Sequence, residues 1–492
     1  MQNAALLPVA FEVVLLVGAL LIILVAVVFE RKLRYWGPIA GVTFLAAAGV
    51  GLLQWRDVAE TGGGLFFSAQ NESLVLSPMV VMDGFSAFAA IVLGLVGLVA
   101  LLGAWDLVAS VRQRSVEFVA LMLLAVAGLH MMTATPNLVV IFIGLETASI
   151  SFYILAGFIR RSKTSEESAM KYFLLGSLGS AMFLYGVALT FAATGSLSIY
   201  GENSIRNFFS VEIITEPGIL LAGLALMLVG LFFKVSAAPF HQWAPDVYQG
   251  APSGAVGLMA AGVKVAGFAA LARIFISGFG AYIDTWAPIV AVIAALSMIV
   301  GTTVALVQTD FKRLLAYSGV AHAGYLLTTM VAGVEGIPAM WFYVSTYAFM
   351  IVGAFTVVSI VRGPTSGNAP IGSFKGLAKR SPETGWLLAI IMLGMSGMPF
   401  FAGFIGKVFA FVVAGEADYL WLVMVGTLTT VVGFAFYLRV VSTIFSSAED
   451  DDERIEPSMS ARFAVVISAV VTVVFGIVPW PLLDVVRDAL PL

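Results

Sequence analysis

No cysteine occurs among the 492 residues, which excludes disulfides and any iron–sulfur cluster held by thiolates of this chain. Charge is scarce as well: Asp, Glu, Lys and Arg make up 11% of the sequence, against roughly a quarter in a soluble domain. The three histidines, His130, His241 and His322, fall in separate apolar runs without metal-ligand spacing. No phosphate-cradling glycine loop, nucleophile elbow or dinucleotide fingerprint stands in a strand-to-helix context, because the sequence reads as having no strands. Any redox chemistry therefore belongs to partner chains. No cofactor, no metal and no nucleic acid is expected on this one.

What the sequence has in abundance is apolar length. Sixty per cent of residues are hydrophobic and the mean hydropathy is +1.02, so the solvent must be mostly the lipid bilayer. Runs of about twenty apolar residues, the length a hydrocarbon core demands of a helix, recur throughout. They predict spans near 10–29, 36–53, 84–105, 117–133, 138–159, 169–193, 219–248, 254–276, 286–307, 313–333, 339–361, 386–414, 419–445 and 463–483. The fold class is thus an all-α polytopic membrane protein of about fourteen transmembrane helices.

The first run has no positive charge before it and Arg31, Lys32 and Arg34 after it, so it is expected to stay as an anchor with the N-terminus outside. In that orientation eighteen of the 25 basic residues fall in inner loops, Lys312 and Arg313 among them, and four (Arg56, Arg206, Arg273 and Arg487) fall outside. Both termini should face the periplasm of a bacterial inner membrane. The acidic run Glu449, Asp450, Asp451, Asp452 and Glu453 reads as a solvated inner turn, and residues 362–383, rich in Gly, Pro and Lys, as a cytoplasmic connector.

Three lysines, Lys234, Lys264 and Lys407, and the carboxylate Glu146 lie inside apolar runs. At about 2.5–3.5 kcal/mol each, they oppose insertion by roughly 10–14 kcal/mol unless they face one another or water. Pro239 follows Lys234 by five residues and Pro399 precedes Lys407 by eight. A mid-span proline frees backbone carbonyls, which lipid tolerates only beside protein or a watered cavity, so spans seven and twelve are expected to be discontinuous. They lie five spans apart, and an odd offset implies two opposed units. The expected division is a three-helix segment at 1–116, a five-helix repeat at 117–276, an inverted repeat at 286–445, and an acidic loop with the last span at 446–492. A buried lysine beside a carboxylate can hold and release a proton, which makes Glu146 and Lys234 a candidate switch, with Lys264 and Lys407 continuing a relay. His322 is either a polar link in that relay or a packed core residue.

Four segments carry a family resemblance: GLFFKVSAAPFHQWAPDVYQGAP from Gly230 to Pro252, Gly144-Leu145-Glu146 leading to Arg160-Arg161, QTDFKRLLAYSGVAHAGY from Gln308 to Tyr325, and FAGFIGK from Phe401 to Lys407. They resemble the antiporter-like subunits of respiratory complex I, a family that also includes Mrp-type cation/proton antiporter and membrane-bound hydrogenase subunits. The resemblance covers spans four to thirteen. KYFLLGS from Lys171 to Ser177, Tyr185-Gly186 and a lysine at position 407 single out one branch, in which serine often stands where this chain has Gly179 and Gly319.

The resemblance implies a proton-translocating membrane subunit of an NADH:quinone oxidoreductase, a translocase whose redox centres lie elsewhere. Glu146 and Lys234 would be the coupling pair, Lys264 the central lysine and Lys407 the lysine of the exit half-channel. Partners would be neighbouring antiporter-like and small membrane subunits of complex I, with FMN, iron–sulfur clusters and quinone carried by partner subunits. The competing implication is a subunit of a multisubunit cation/proton antiporter or membrane-bound hydrogenase.

Overall fold

The computed structural model describes residues 6–28, 36–67, 69–71, 74–76, 78–111, 114–211, 217–447 and 454–492. Arg31, Lys32, Arg34, Arg112 and the acidic run from Glu449 to Glu453 lie outside the described residues.

Because lipid offers no hydrogen bonds, the apolar runs satisfy their backbones internally as helices. In chain order these are α1 (Ala10–Val28), α2 (Trp36–Thr61), α3 (Gly84–Gly103), α4 (Trp105–Ser110), α5 (Ser115–Thr133), α6 (Leu138–Ala156), α7 (Lys163–Thr194), α8 (Ile205–Val211), α9 (Gly218–Val235) and α10 (Trp243–Gly250). There follow α11 (Ser253–Leu271), α12 (Ile283–Leu306), α13 (Phe311–Met330), α14 (Ile337–Arg362), α15 (Leu377–Arg380), α16 (Pro382–Ser396), α17 (Ala402–Glu416), α18 (Leu420–Phe445), α19 (Met459–Ile477) and α20 (Trp480–Asp488). Among the described residues, twelve helices are long and apolar enough to cross a membrane. The expected spans near 313–333 and 386–414 are not among those twelve. The first, α13, opens on Lys312 and Arg313, and the second is divided into two pieces of 15 residues.

Four further expectations are corrected. Strands do exist: β1 (Gly64–Phe66) pairs with β4 (Val80–Met82), and β2 (Ala69–Asn71) with β3 (Leu74–Leu76), between α2 and α3. These three-residue pieces are too short to register as alternating patterns. The last span ends at Ile477, where Pro479 starts the separate helix α20. Arg273 is no loop charge, because α11 continues as a π-helical turn, Ala272–Gly278, that carries it inward. There its guanidinium forks onto Asp83, the N-cap of α3, at 2.9 and 3.0 Å, with the arginine fully buried. Lys312, also read as a loop charge, is buried in the first turn of α13 and donates to the Ala251 carbonyl at 2.6 Å.

The core is centred on α11, every residue of which is buried, and on α14 beside it. Helices approach closely where side chains vanish: a Cβ on Gly128 of α5 would lie 2.6 Å from the Ala148 nitrogen of α6. Peripheral α7 turns Met170, Phe173, Leu174 and Leu178 outward, as a lipid-facing helix should. Both described chain ends meet on one face of the bundle: Gln54 reaches the Leu7 carbonyl at 2.8 Å, and Phe85 donates its backbone N–H to Leu490 at 3.2 Å. This is called the terminal face below. Lys171, Asp246, Arg313 and Arg439 gather at the opposite face.

Candidate functional site

The first helix break lies between α9 and α10. Ser236 adopts a left-handed conformation (φ 58°), and Pro239 removes a donor, so α9 cannot continue. The freed groups are taken up by side chains from three helices: Lys264 of α11 donates to the Val235 carbonyl at 2.8 Å, Trp243 to the Phe233 carbonyl at 2.9 Å, and the Ala238 N–H reaches Ser297 Oγ of α12 at 2.8 Å. Lys264 is thus the cation that completes a broken helix C-terminus, where the helix dipole favours positive charge.

One residue before Val235, Lys234 turns the other way. Its Nζ donates to Ser149 Oγ of α6 at 2.7 Å and stands 5.7 Å from the centre of the Tyr153 ring. Glu146 sits one helical turn from Ser149 on the same face of α6, and its charge acts on Lys234. The two are not in ion-pair contact, however. Ser149 holds the ammonium, and the Glu146 Oε1 is buried with no hydrogen-bond partner. An unpaired buried acceptor costs about 1–3 kcal/mol, a cost that falls when a donor approaches.

The second break repeats the pattern. α16 ends at Ser396, Gly397 (φ 87°) and Phe400 (φ 74°) take left-handed conformations around Pro399, and α17 begins at Ala402. The freed Ser396 carbonyl accepts from Lys407 Nζ at 2.9 Å. A Cβ on Gly397 would lie 3.0 Å from that Nζ, so close approach and positive φ both require glycine here. Each break therefore has a lysine on an orphan carbonyl, supplied by a neighbouring helix in the first and by the second half-helix itself in the other.

Between the breaks runs α13. His322 pairs one ring nitrogen with Tyr343 Oη at 2.8 Å and the other with Tyr437 Oη at 3.0 Å, and Tyr437 in turn contacts Ser318 Oγ. The charges of both Lys264 and Lys407 act on this ring. Lys264 Nζ is 5.9 Å from the centre of the Tyr347 ring, whose neighbour at 4.8 Å is His322, while Lys407 Nζ lies 4.5 Å above Tyr325. The Tyr347 hydroxyl is buried without a partner. A Cβ on Gly319 would stand 3.2 Å from it, the place where a serine would supply one.

The structure thus places all five sequence-derived residues in one tract, buried except at the half-buried Glu146: Glu146, Ser149 and Lys234, then the shared Val235 corner to Lys264, then Tyr347, His322 and Tyr325 to Lys407. His241 lies at the first break facing Tyr317, outside this tract, and His130 is elsewhere on α5. Sequence reading missed Ser149, Tyr325, Tyr343, Tyr347 and Tyr437, since hydroxyls in apolar helices are common. The only signal was helical spacing: Ser149 three residues after Glu146, Tyr325 three after His322. Among the described residues no group of three His, Cys, Asp or Glu side chains could hold a metal ion. Chemically the tract can exchange protons among amines, imidazole, carboxyl and hydroxyls.

Residues 135–433 match the family described as NADH:quinone oxidoreductase/Mrp antiporter, transmembrane. A relative from Solibacter usitatus named NADH-quinone oxidoreductase subunit N 1 is 37% identical over 474 residues, covering 95% of this chain and 93% of its own length. NADH-quinone oxidoreductase subunit N of Trichlorobacter lovleyi is 36% identical over 488 residues, covering 98% and 96%. Among solved structures, a chain of respiratory complex I from Thermus thermophilus with bound aureothin has a TM-score of 0.79 at 32% identity, covering 96% of this chain and 98% of that one. A chain of the Mrp complex from a Dietzia species has a TM-score of 0.82 at 19% identity, covering 98% and 97%, a likeness of fold. The match over residues 135–433 contains both broken helices together with Glu146, Lys234, Lys264, His322 and Lys407, and on that ground the chain belongs to the NADH:quinone oxidoreductase/Mrp antiporter family of transmembrane subunits.

Proposed function

We propose that this chain is the subunit-N-type membrane subunit of a respiratory NADH:quinone oxidoreductase, and that it moves protons through the tract from Glu146 to Lys407. Glu146 and Lys234 act as the switchable pair, with Ser149 as the hydroxyl between them. Lys264 is the central carrier, His322 and its tyrosines the link, and Lys407 the carrier of the exit half-channel. The observation that carries the reading is three buried lysines and a half-buried glutamate gathered around two interrupted helices, each interruption bonded to a lysine. Such groups oppose membrane insertion by roughly 10–14 kcal/mol together, and a fold that needed only packing would replace them with apolar residues.

A physical cycle follows from the hydrogen bonds. When Glu146 is charged it favours the ammonium form of Lys234, and when it is neutral that support is lost and the proton can pass along the Val235 corner. Lys264 and Lys407 each lose the charge that strengthens their carbonyl contact when they release a proton, so movement of charge and adjustment of the breaks are linked. The chain works with complex I partners, the neighbouring antiporter-like and small membrane subunits, which bring the FMN, iron–sulfur clusters and quinone chemistry. The five-helix units at 117–276 and 286–445 each contain one break, in keeping with an inverted repeat. The basic residues support an orientation with both termini periplasmic in a bacterial inner membrane.

The test is purification through a tag on this chain from its native membrane. Co-purified subunits that oxidise NADH and reduce quinone are the expected result. Cation/proton exchange by a complex lacking redox subunits would overturn the reading.

A further inference from the structure

The short helix α10 is the far half of the first interrupted span, and its carboxylate is shared by two helices. Asp246 Oδ2 accepts from Lys171 Nζ of α7 at 2.7 Å, and Oδ1 accepts from Arg313 Nη1 of α13 at 2.5 Å. The Asp246 side chain is 37% exposed, and ion pairs this open to solvent contribute little to overall stability. Folding of α10 does not depend on them. Trp243 stacks on Tyr172 of α7 with ring centres 4.5 Å apart, and Lys312 holds the Ala251 carbonyl at the end of α10. Without the carboxylate, Lys171 would keep Glu167 at 2.6 Å, and Arg313 would keep Gln249 and Gln308 at 3.2 and 3.3 Å. What Asp246 adds is position, because charge-assisted bonds from two sides fix where α10 stands between α7 and α13.

That position bears on the break. α10 starts at Trp243, whose indole donates to the carbonyl of Phe233, the residue before Lys234. His241 faces Tyr317 of α13 with ring centres 6.0 Å apart, and the same helix carries His322 nine residues after Arg313. A shift of α10 is therefore felt at both lysines of the first break, and a shift of α13 is felt by α10.

We propose that Asp246 is a positioning residue for the first break. Bound by one cation from α7 and one from α13, it sets α10 so that the end of α9 presents Lys234 to Ser149 and the Val235 carbonyl to Lys264. This role rests on the proton transport assigned to the tract, and it ties the first break to the helix that carries His322.

The test uses the complex purified through this chain and reconstituted in vesicles, as wild type, Asp246→Asn, Asp246→Glu and Lys171→Gln. Asparagine keeps the shape, loses the charge and turns an amide NH2 toward one of the cations; glutamate keeps the charge. At the break the Ser236, Ala237 and Ala238 amides donate to Phe233, Phe232 and Ser297. Their hydrogen exchange should rise about tenfold in Asp246→Asn and stay within about twofold of wild type in Asp246→Glu. Protons moved per NADH oxidised should fall by at least about twofold in Asp246→Asn and recover in Asp246→Glu. A carboxylate with only a structural role would lower the amount of assembled complex and leave protons per NADH unchanged. That result would overturn the proposal, as would break amides that exchange alike in all four proteins. Faster exchange at the break with wild-type protons per NADH would also refute it, since the setting of α10 would then have no effect on transport. Lys171→Gln removes one of the two cations and should shift both readouts in the same direction by less. If Asp246→Asn does not assemble, wild-type exchange and coupling in Lys171→Gln refute the clamp. Failure of the transport reading itself is separate: Lys234→Met would pump fully while the exchange difference at residues 236–238 persisted.

Discussion

Replacing Lys264 by methionine separates the proton-carrying role of this residue from its structural one. The variant loses the bond from Nζ to the Val235 carbonyl, now 2.8 Å long. A hydrogen bond to a charged group contributes about 1.5–3 kcal/mol, and the carbonyl left behind at the α9 terminus is unpaired. Against this, the variant no longer holds a lysine inside the bilayer, which relieves about 2.5–3.5 kcal/mol. The two effects offset to within about 1 kcal/mol, and methionine keeps the length and apolar volume of the stem. Assembly should therefore survive, while redox-driven proton transport should fall by more than about tenfold, a barrier increase above about 1.4 kcal/mol. The assay is acidification of vesicles driven by NADH, divided by the amount of assembled complex. Pumping within about twofold of wild type would refute the carrier role, since that corresponds to only about 0.4 kcal/mol. Loss of assembly would refute the energy balance instead.

Three other perturbations follow from the geometry. Single cysteines at Lys379 and Asn203, both exposed and on opposite faces of the bundle, should label from opposite sides of the membrane in this cysteine-free chain; labelling of both from one side would overturn the topology. Asp83→Asn leaves the fully buried Arg273 without its carboxylate and should lower the stability of the assembled subunit by about 3–5 kcal/mol, seen as a lower denaturation midpoint; an unchanged midpoint would refute the account of this pair. Gly397→Ala forces a Cβ into a left-handed position 3.0 Å from Lys407 Nζ; it should cost about 1–2 kcal/mol and slow proton transport with little change in NADH binding, whereas wild-type transport would show that the break is not held by that contact.

Much of this was legible in the sequence for a simple physical reason. Apolar length is a one-dimensional property, and a charge inside such a run declares itself without knowledge of its neighbours. Glu146, Lys234, Lys264 and Lys407 were found that way, and Pro239 and Pro399 located both breaks within a few residues. Partners were not legible, because they come from elsewhere in the chain. Lys234 finds Ser149, one helical turn beyond Glu146 on α6, and the hydroxyls around His322 come from α14 and α18. Charges at span ends were misplaced for the same reason. Whether Arg273 faces solvent depends on Asp83, 190 residues earlier, and whether Lys312 does depends on the Ala251 carbonyl. The match of Tyr347 with the gap at Gly319 is likewise visible only when α13 and α14 are side by side.

The claim that the tract carries protons, rather than fixed charge, turns on Lys234. Arginine at this position keeps the charge and can still donate to Ser149, yet a guanidinium does not release a proton at working pH. NADH-driven acidification in vesicles, normalised to assembled complex, should be lost in Lys234→Arg as fully as in Lys234→Met. Full pumping by the arginine variant would contradict the account and leave Lys234 as a fixed electrostatic partner of Glu146.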